Sequence, residues 1–161
     1  MYSADINISP ATNAFNSVLH ALTGAPLLQK IAGVLEYETE ENFAEQGRPN
    51  WAPLAPATKA ARLKRNNGSS VLMILQDHGV MAASTSSEFG SNFALIGAGG
   101  ASKDYATIQQ IGGDAGKNHQ AHIPGRPYLP FTGTIDAPTL QPSAEKNILE
   151  LISDAARNSF R

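Results

Sequence analysis

Tyr105-Ala-Thr-Ile-Gln-Gln-Ile-Gly112-Gly113-Asp-Ala-Gly-Lys-Asn-His-Gln-Ala-His-Ile123-Pro124-Gly125-Arg126-Pro127-Tyr128-Leu129-Pro130 is the most informative run of this chain. Its first part is a short amphipathic helix stopped by two glycines. Its last part cannot be helical, because its prolines fix φ and remove backbone donors. Between them, residues 113–122 form a polar, Gly-containing arm with little apolar content. A stiff, aromatic-bearing segment beside a polar arm suits contact with another chain better than chemistry on a small molecule.

Working outward, residues 84–89 and 92–98 can pair as a hairpin around Gly90-Ser91. Phe89, Phe93, Leu95 and Ile96 supply its apolar positions, and the glycines of 97–100 end it. Ser102 is placed to cap the helix 102–111, with Tyr105, Ile108 and Ile111 on one face. Downstream, 128–132 gives another strand, confined to an edge by its prolines. Ser143 is placed to cap a final helix, with Glu145 near the favourable end of its dipole. Ile148, Leu151, Ile152 and Ala155 mark that helix's buried face.

Towards the N-terminus, residues 2–8 alternate around Ile6 and Ile8 as a short strand. Ser9-Pro10 opens a helix whose apolar face is Phe15, Val18, Leu19 and Leu22, and Gly24 ends it. Pro26 opens a second helix carrying Leu27, Leu28, Ile31, Val34 and Leu35. It turns acidic at Glu36, Glu38, Glu40 and Glu41 and stops at Gly47. The connection 48–56 is punctuated by proline, 58–65 is a short basic helix, and 66–70 breaks it. The apolar run 71–75 is too short to assign by pattern. No repeat, composition shift or βαβ rhythm divides the chain. The reading is one α+β domain over 1–161: a small, mostly antiparallel sheet packed with N-terminal helices and a C-terminal helix, with a flexible arm at about 113–122.

The chain has 161 residues, 42% of them apolar, enough for one core. Only 16% are charged, against a typical ~25%, so its surface is uncharged polar or covered by partners. A net charge of −2 gives no global attraction to nucleic acid or anionic membrane. There is no cysteine, which fits an intracellular protein or a particle assembled inside a cell. No continuous apolar run reaches the ~18 residues a membrane span needs, and the N-terminus does not read as a signal peptide.

Chemistry-bearing patterns are sparse. His119 and His122 could be two of the three or four ligands a metal site needs, but they read better as loop histidines; no metal is assigned. Asp77-His78 could be a base with its orienter, but Ser84, Ser86 and Ser87 lack a nucleophile-elbow context, and Asp77 reads better as a turn residue before Gly79. No catalytic residue and no cofactor are assigned. Gly97-Ala-Gly-Gly100 lacks phosphate-loop spacing and reads as a hairpin exit. Lys59, Arg62, Lys64 and Arg65 form a basic cluster. It is either a nucleic-acid patch or, better, a solvated face that could meet the acidic end of the second helix. Trp51, beside Pro49, Pro53 and Leu54, is a core or interface anchor. Arg126 is either a carboxylate clamp or a surface arginine.

Four groups of residues then line up in order. They are Phe43-x-x-Gln46-Gly47-x-Pro49-x-Trp51-x-Pro53-Leu54-x-x-x-Thr58, then Leu75-x-Asp77-x-Gly79-Val80-x-x-x-Ser84, then Ile96-Gly97 with Tyr105-Ala106-x-Ile108-x-Gln110-x-Gly112, and Ile123-Pro124-x-Arg126-Pro127-Tyr128-Leu129. This order and spacing resembles the phage virion-morphogenesis (tail-completion) proteins of Mu-like and related tailed phages, over nearly the whole chain. His78 departs from the threonine common in that family, and 113–122 carries nothing over.

The resemblance implies a non-enzymatic virion protein at the head–tail junction, assembled in the host cytoplasm. It implies a ring homo-oligomer, a hexamer, that completes or caps the tail tube so that the tail can join the head. Its partners would be the tail tube protein and head-completion or connector proteins, with DNA passing through the lumen unbound and no membrane involved. On that basis Trp51, Tyr105, Gln110, Arg126 and Tyr128 are the candidate subunit or tail-tube interface. The segment 123–129 would be a rigid edge able to add to a neighbour's sheet. The alternative is a nucleic-acid-binding phage accessory protein using the basic helix 59–65.

Overall fold

The computed structural model is organised around one long central helix, and it describes residues 9–65 and 72–159. The expected strand at 2–8 and the break at 66–70 lie outside the described residues. The elements run α1 (Ser9–Thr23), α2 (Ala25–Ala44), α3 (Pro56–Arg65), α4 (Val80–Ala83), β1 (Thr85–Phe89), β2 (Ala94–Ala98), α5 (Lys103–Ile111), β3 (Gly113–Ala115), β4 (Ala121–Ile123), β5 (Phe131–Gly133), β6 (Pro138–Leu140) and α6 (Pro142–Asn158). The class is α+β. The strands make three separate two-stranded antiparallel ribbons, β1–β2, β3–β4 and β5–β6, rather than the one small sheet expected. Each ribbon pairs two strands that are consecutive in the chain.

Extended backbone at Gly24 (φ −81°, ψ 151°) separates α1 from α2, and Pro26 sits in the first turn of α2. α1 has the apolar face its spacing predicts, but that face is not buried: Phe15 is 67% and Leu19 49% exposed. The main contacts of α1 are with α2 and α6, which cover only part of it. Thr12–Ala44 also contains a window of mean hydropathy 1.3, long and apolar enough by composition to cross a bilayer. The break at Gly24 and the buried polar groups of α2 make it read instead as two helices of a packed domain.

α2 packs against α6 and the β1–β2 ribbon. Its buried stripe begins with Leu27, Ala32 and Leu35 and continues through Glu38, Thr39, Asn42 and Phe43. Glu38 is therefore not part of an outward acidic end; it is 1% exposed. Its carboxylate pairs with Arg48 at 2.8 Å and accepts hydrogen bonds from Ser143 Oγ (2.7 Å) and Asn147 Nδ2 (2.6 Å). This corrects the reading of Ser143 as a cap, since Gln141 occupies the N-cap of α6. A buried carboxylate requires donors more urgently than a helix terminus that water can reach.

The basic helix α3 also finds its partner elsewhere than expected. Arg65 Nη2 donates to both oxygens of Asp77 at 2.6–2.8 Å, and Arg62 Nε lies 3.5 Å from that carboxylate. Asp77 is thus the anchor of α3 rather than a plain turn residue. Desolvation pushes its carboxyl up, but the Arg65 hydrogen bond and the charges of Arg62, Arg65 and His78 outweigh it and hold the net value below the ordinary one. The described part of the apolar run, 72–75, is neither helix nor strand. Side chains take its backbone groups: Gln46 Oε1 accepts from Ile74 N–H, and Arg62 Nη1 donates to the Met73 carbonyl.

β1 and β2 pair in the register Thr85↔Ala98 to Phe89↔Ala94, as the hairpin reading expects. Of the four apolar residues assigned to it, only Ile96 is buried; Phe89, Phe93 and Leu95 face outward. The ribbon rests one face on α2, and strand alternation sends Leu95 to the other. On α5 the buried residue is Ala106, while Tyr105 and Ile111 of the expected inner face are exposed. Ser102 holds the N-cap position of α5 as expected, but its side chain makes no capping bond; its buried hydroxyl donates to the Gly99 carbonyl and meets Ser84 Oγ. The strand expected at 128–132 begins only at Phe131. The polar interval 113–122, expected as a flexible arm, is drawn into the β3–β4 ribbon with an exposed turn.

The core is the cluster Phe43, Trp51, Met81 and Tyr128, with Ile74, Leu75, Ala82, Ala98 and Leu129 packed around it. Phe43 meets Trp51 edge to face (centroids 5.7 Å, 80°) and Tyr128 in a tilted contact at 5.8 Å. These are geometries that ring quadrupoles favour.

Candidate functional site

Four of the five residues singled out from the sequence, Trp51, Gln110, Arg126 and Tyr128, converge on one structure, the bracing of segment 123–131. Trp51 Nε1 donates to the Pro127 carbonyl at 3.0 Å. Gln110 Oε1 accepts from the N–H groups of Tyr128 and Leu129, both at 3.0 Å, and its Nε2 donates to the Phe131 carbonyl at 2.9 Å. Arg126 Nε and Nη2 donate to the carbonyls of Ala52 and Pro53 at 3.0 and 3.1 Å. The Arg126 N–H donates to the Gln109 carbonyl at 2.7 Å. Asn42 Nδ2 donates to the Tyr128 carbonyl at 3.1 Å and to Gln141 Oε1 at 3.0 Å.

A segment with three prolines cannot enter a regular ladder, so its remaining polar groups take side-chain partners. α5 lies against the segment at a pair of glycines. A Cβ on Gly112 would lie 2.7 Å from Gly125 N, and one on Gly125 would lie 2.9 Å from the Ile111 carbonyl.

This geometry redefines four of the five candidates. Trp51, Arg126 and Tyr128 are buried and Gln110 is half-buried, all engaged within the chain. They build the scaffold rather than present a contact surface. Arg126 is neither a carboxylate clamp nor a free surface arginine, because it holds two carbonyls. Burial first, and the Arg62 charge second, push its guanidinium below the ordinary value. The segment does not offer a free edge to a neighbour, since the N–H groups of Arg126, Tyr128 and Leu129 are already bonded. Only Tyr105 keeps an outward surface, at the mouth of a cleft of about 390 Å³ that also reaches Arg62, Asp77, His78, His122 and Arg126.

Most of the groups weighed for catalysis in the sequence are engaged with neighbours within the chain. Asp77 is held by two arginines, and His78 Nε2 stands 3.8 Å from it. The Ser84 hydroxyl donates to the Met81 carbonyl, and Ser87 donates to Glu36. Across the β3–β4 ribbon His122 Nδ1 lies 2.9 Å from Asp114 Oδ1, and His119 Nδ1 lies 3.4 Å from the Asp114 carbonyl. Among the described residues no cluster of three His, Asp or Glu could hold a metal.

The residues that sequence reasoning missed are Glu38, Asn42, Arg48 and Gln141. The available signal was positional: Glu38 and Asn42 continue the stripe set by Leu27, Ile31 and Leu35 at helical spacing.

Burial pushes the Tyr128 phenol up to about 12. An unfolded tyrosine titrates near 10, so the folded state holds this proton more tightly. That contribution to stability is intact below about pH 10 and is lost as pH rises towards 12. Between about pH 9 and 11 the native chain is expected to lose roughly 1 kcal/mol more than Tyr128→Phe, read from urea unfolding at both pH values. Parallel losses in the two proteins would refute this assignment.

A family model described as the phage virion morphogenesis family matches residues 6–156. The chain is similar to Mu-like prophage FluMu G protein 2 of Haemophilus influenzae, at 33% identity over 149 residues, covering 92% of this chain and 90% of that protein. It is also similar to FluMu G protein 1 of the same organism, at 30% identity over 118 residues, covering 71% and 73% respectively. No solved structure matches it.

Proposed function

The chain belongs to the phage virion morphogenesis family, with a structural role in building the virion, and from that premise we propose that it acts at the head–tail junction. There it completes or caps the tail tube as a ring homo-oligomer, a hexamer, so that the tail can join a filled head. It is assembled in the host cytoplasm, stays in the virion and does no chemistry. Its partners are the tail tube protein and the head-completion or connector proteins, and DNA passes through its lumen without being held.

The observation that carries this reading is where the large apolar side chains go. Phe15 and Leu19 on α1, Phe89, Phe93 and Leu95 on the first ribbon, Ile111 on α5 and Ile135 before β6 all face outward. Phe15 and Leu19 lie one turn apart on α1, and an adjacent exposed apolar pair of this kind, unlike residues exposed singly, favours a surface covered by a neighbour.

Quantifying the protein in purified particles is the test. Several copies per particle, and full heads beside unjoined tails when the gene is removed, are expected. A single copy, or normal particles without it, would end the reading. The nucleic-acid alternative has less support, because Arg62 and Arg65 are occupied by Asp77. Salt-dependent DNA binding lost in Arg62→Ala/Arg65→Ala would revive it.

A further inference from the structure

We propose that α1 of one copy seats in the cleft between α5 and the β5–β6 ribbon of the next, and that this is the contact that propagates the assembly. The inference rests on the ring reading above and names the two surfaces that would form it. The cleft holds about 300 Å³. Tyr128 and Ala106 are its buried floor, and Ile111 and Ile135 stand exposed at its rim.

Charge selects the occupant. None of the residues lining the cleft is charged. α1, Ser-Pro-Ala-Thr-Asn-Ala-Phe-Asn-Ser-Val-Leu-His-Ala-Leu-Thr, contains no Asp, Glu, Lys or Arg. α2, α3, α5 and α6 all carry such residues. Seating α1 in the cleft would desolvate no ion, whereas an acidic or basic helix would leave charges buried and unpaired. Phe15 and Leu19, four residues apart on one face, are the anchors a helix needs to enter a groove.

The placement of the surfaces supplies the symmetry. No residue of α1, α2 or α6 lines the cleft, and α1 is attached to the chain mainly through α2 and α6. Ridge and groove are therefore built from different elements. Each copy that donates α1 can keep its own cleft open for a third, a heterologous contact that gives a ring where the rotation between copies closes, whereas a reciprocal two-fold exchange would stop the covalent ladder at the dimer.

The chain has no cysteine, so introduced thiols report without background. Phe15→Cys and Ile135→Cys, both at sites 67% exposed, would be treated with a short bismaleimide, as purified protein at high concentration and in assembled particles. Matching thermal melts of the variants and the native chain would establish that they fold. The double variant is expected to give a ladder of covalent multimers, each single variant only monomer, and a mixture of the two singles only a covalent dimer. Self-linked Phe15→Cys would mean an α1–α1 pair and overturn the proposal. So would the absence of a ladder in particles holding several copies, or α1-dependent flotation with phosphatidylglycerol vesicles and no ladder. Copy number read from the untreated particles separates the two failures: one copy per particle removes the ring, while several copies without linkage remove only this contact.

Discussion

Trp51→Ala is expected to destabilise the chain by about 3–5 kcal/mol, the cost of deleting a large aromatic side chain from a packed core. For a chain of this length that corresponds to a fall in Tm of roughly 6–20 °C. Trp51 joins three parts of the fold at once. Its ring meets Phe43 of α2, its Nε1 donates to Pro127, and its own N–H donates to the Gln46 carbonyl. Gly47, at φ +100°, lies so close that a Cβ there would run into the indole. Trp51→Phe keeps an aromatic partner for Phe43 and loses the bond to Pro127, and is expected to cost about 1–2 kcal/mol. Circular dichroism during urea unfolding measures both. A loss below about 1 kcal/mol for Trp51→Ala would show that the cluster is not a core.

Arg48→Ala is expected to cost about 3 kcal/mol, because it leaves a carboxylate buried without its counter-charge. Arg48 also donates to Asn42 Oδ1 at 3.0 Å and to the Glu38 carbonyl at 2.6 Å. Its removal therefore loosens the network that runs through Asn42 to Tyr128 and Gln141. Adding Glu38→Gln removes the stranded charge, and the double variant is expected to recover part of the loss. Arg65→Ala is the contrast: its partner Asp77 is at the surface, and the expected cost is below about 1 kcal/mol. If Arg48→Ala and Arg65→Ala cost the same, burial of Glu38 does not matter to the fold.

The legibility of this chain follows how local each cause is. Helix α2 was readable because Pro26 and the spacing of Leu27, Ile31 and Leu35 are local signals. The β1–β2 hairpin was readable because its turn and flanking strands are adjacent in sequence. Ser102 and Ser143 were read as caps because that role is local too; Ser102 does hold the N-cap of α5, with its hydroxyl turned to Gly99, whereas the Ser143 hydroxyl reaches Glu38 far along the chain. The site residues divide the same way. Residue type pointed to Trp51, Gln110, Arg126 and Tyr128, but could not say whether they face a neighbour or their own backbone.

Composition and spacing alone determined the α+β class, the two N-terminal helices, the final helix and a non-helical segment at 123–130. Proline geometry and helical periodicity act within a few residues and need no partner. Tertiary structure alone decided that α1 is only partly covered, that Glu38 is buried against Arg48, Ser143 and Asn147, and that Gln110 and Arg126 brace the 123–131 segment. Those outcomes depend on which surfaces and backbone groups meet across tens of residues, and a buried polar group is tolerated only where such a distant partner reaches it.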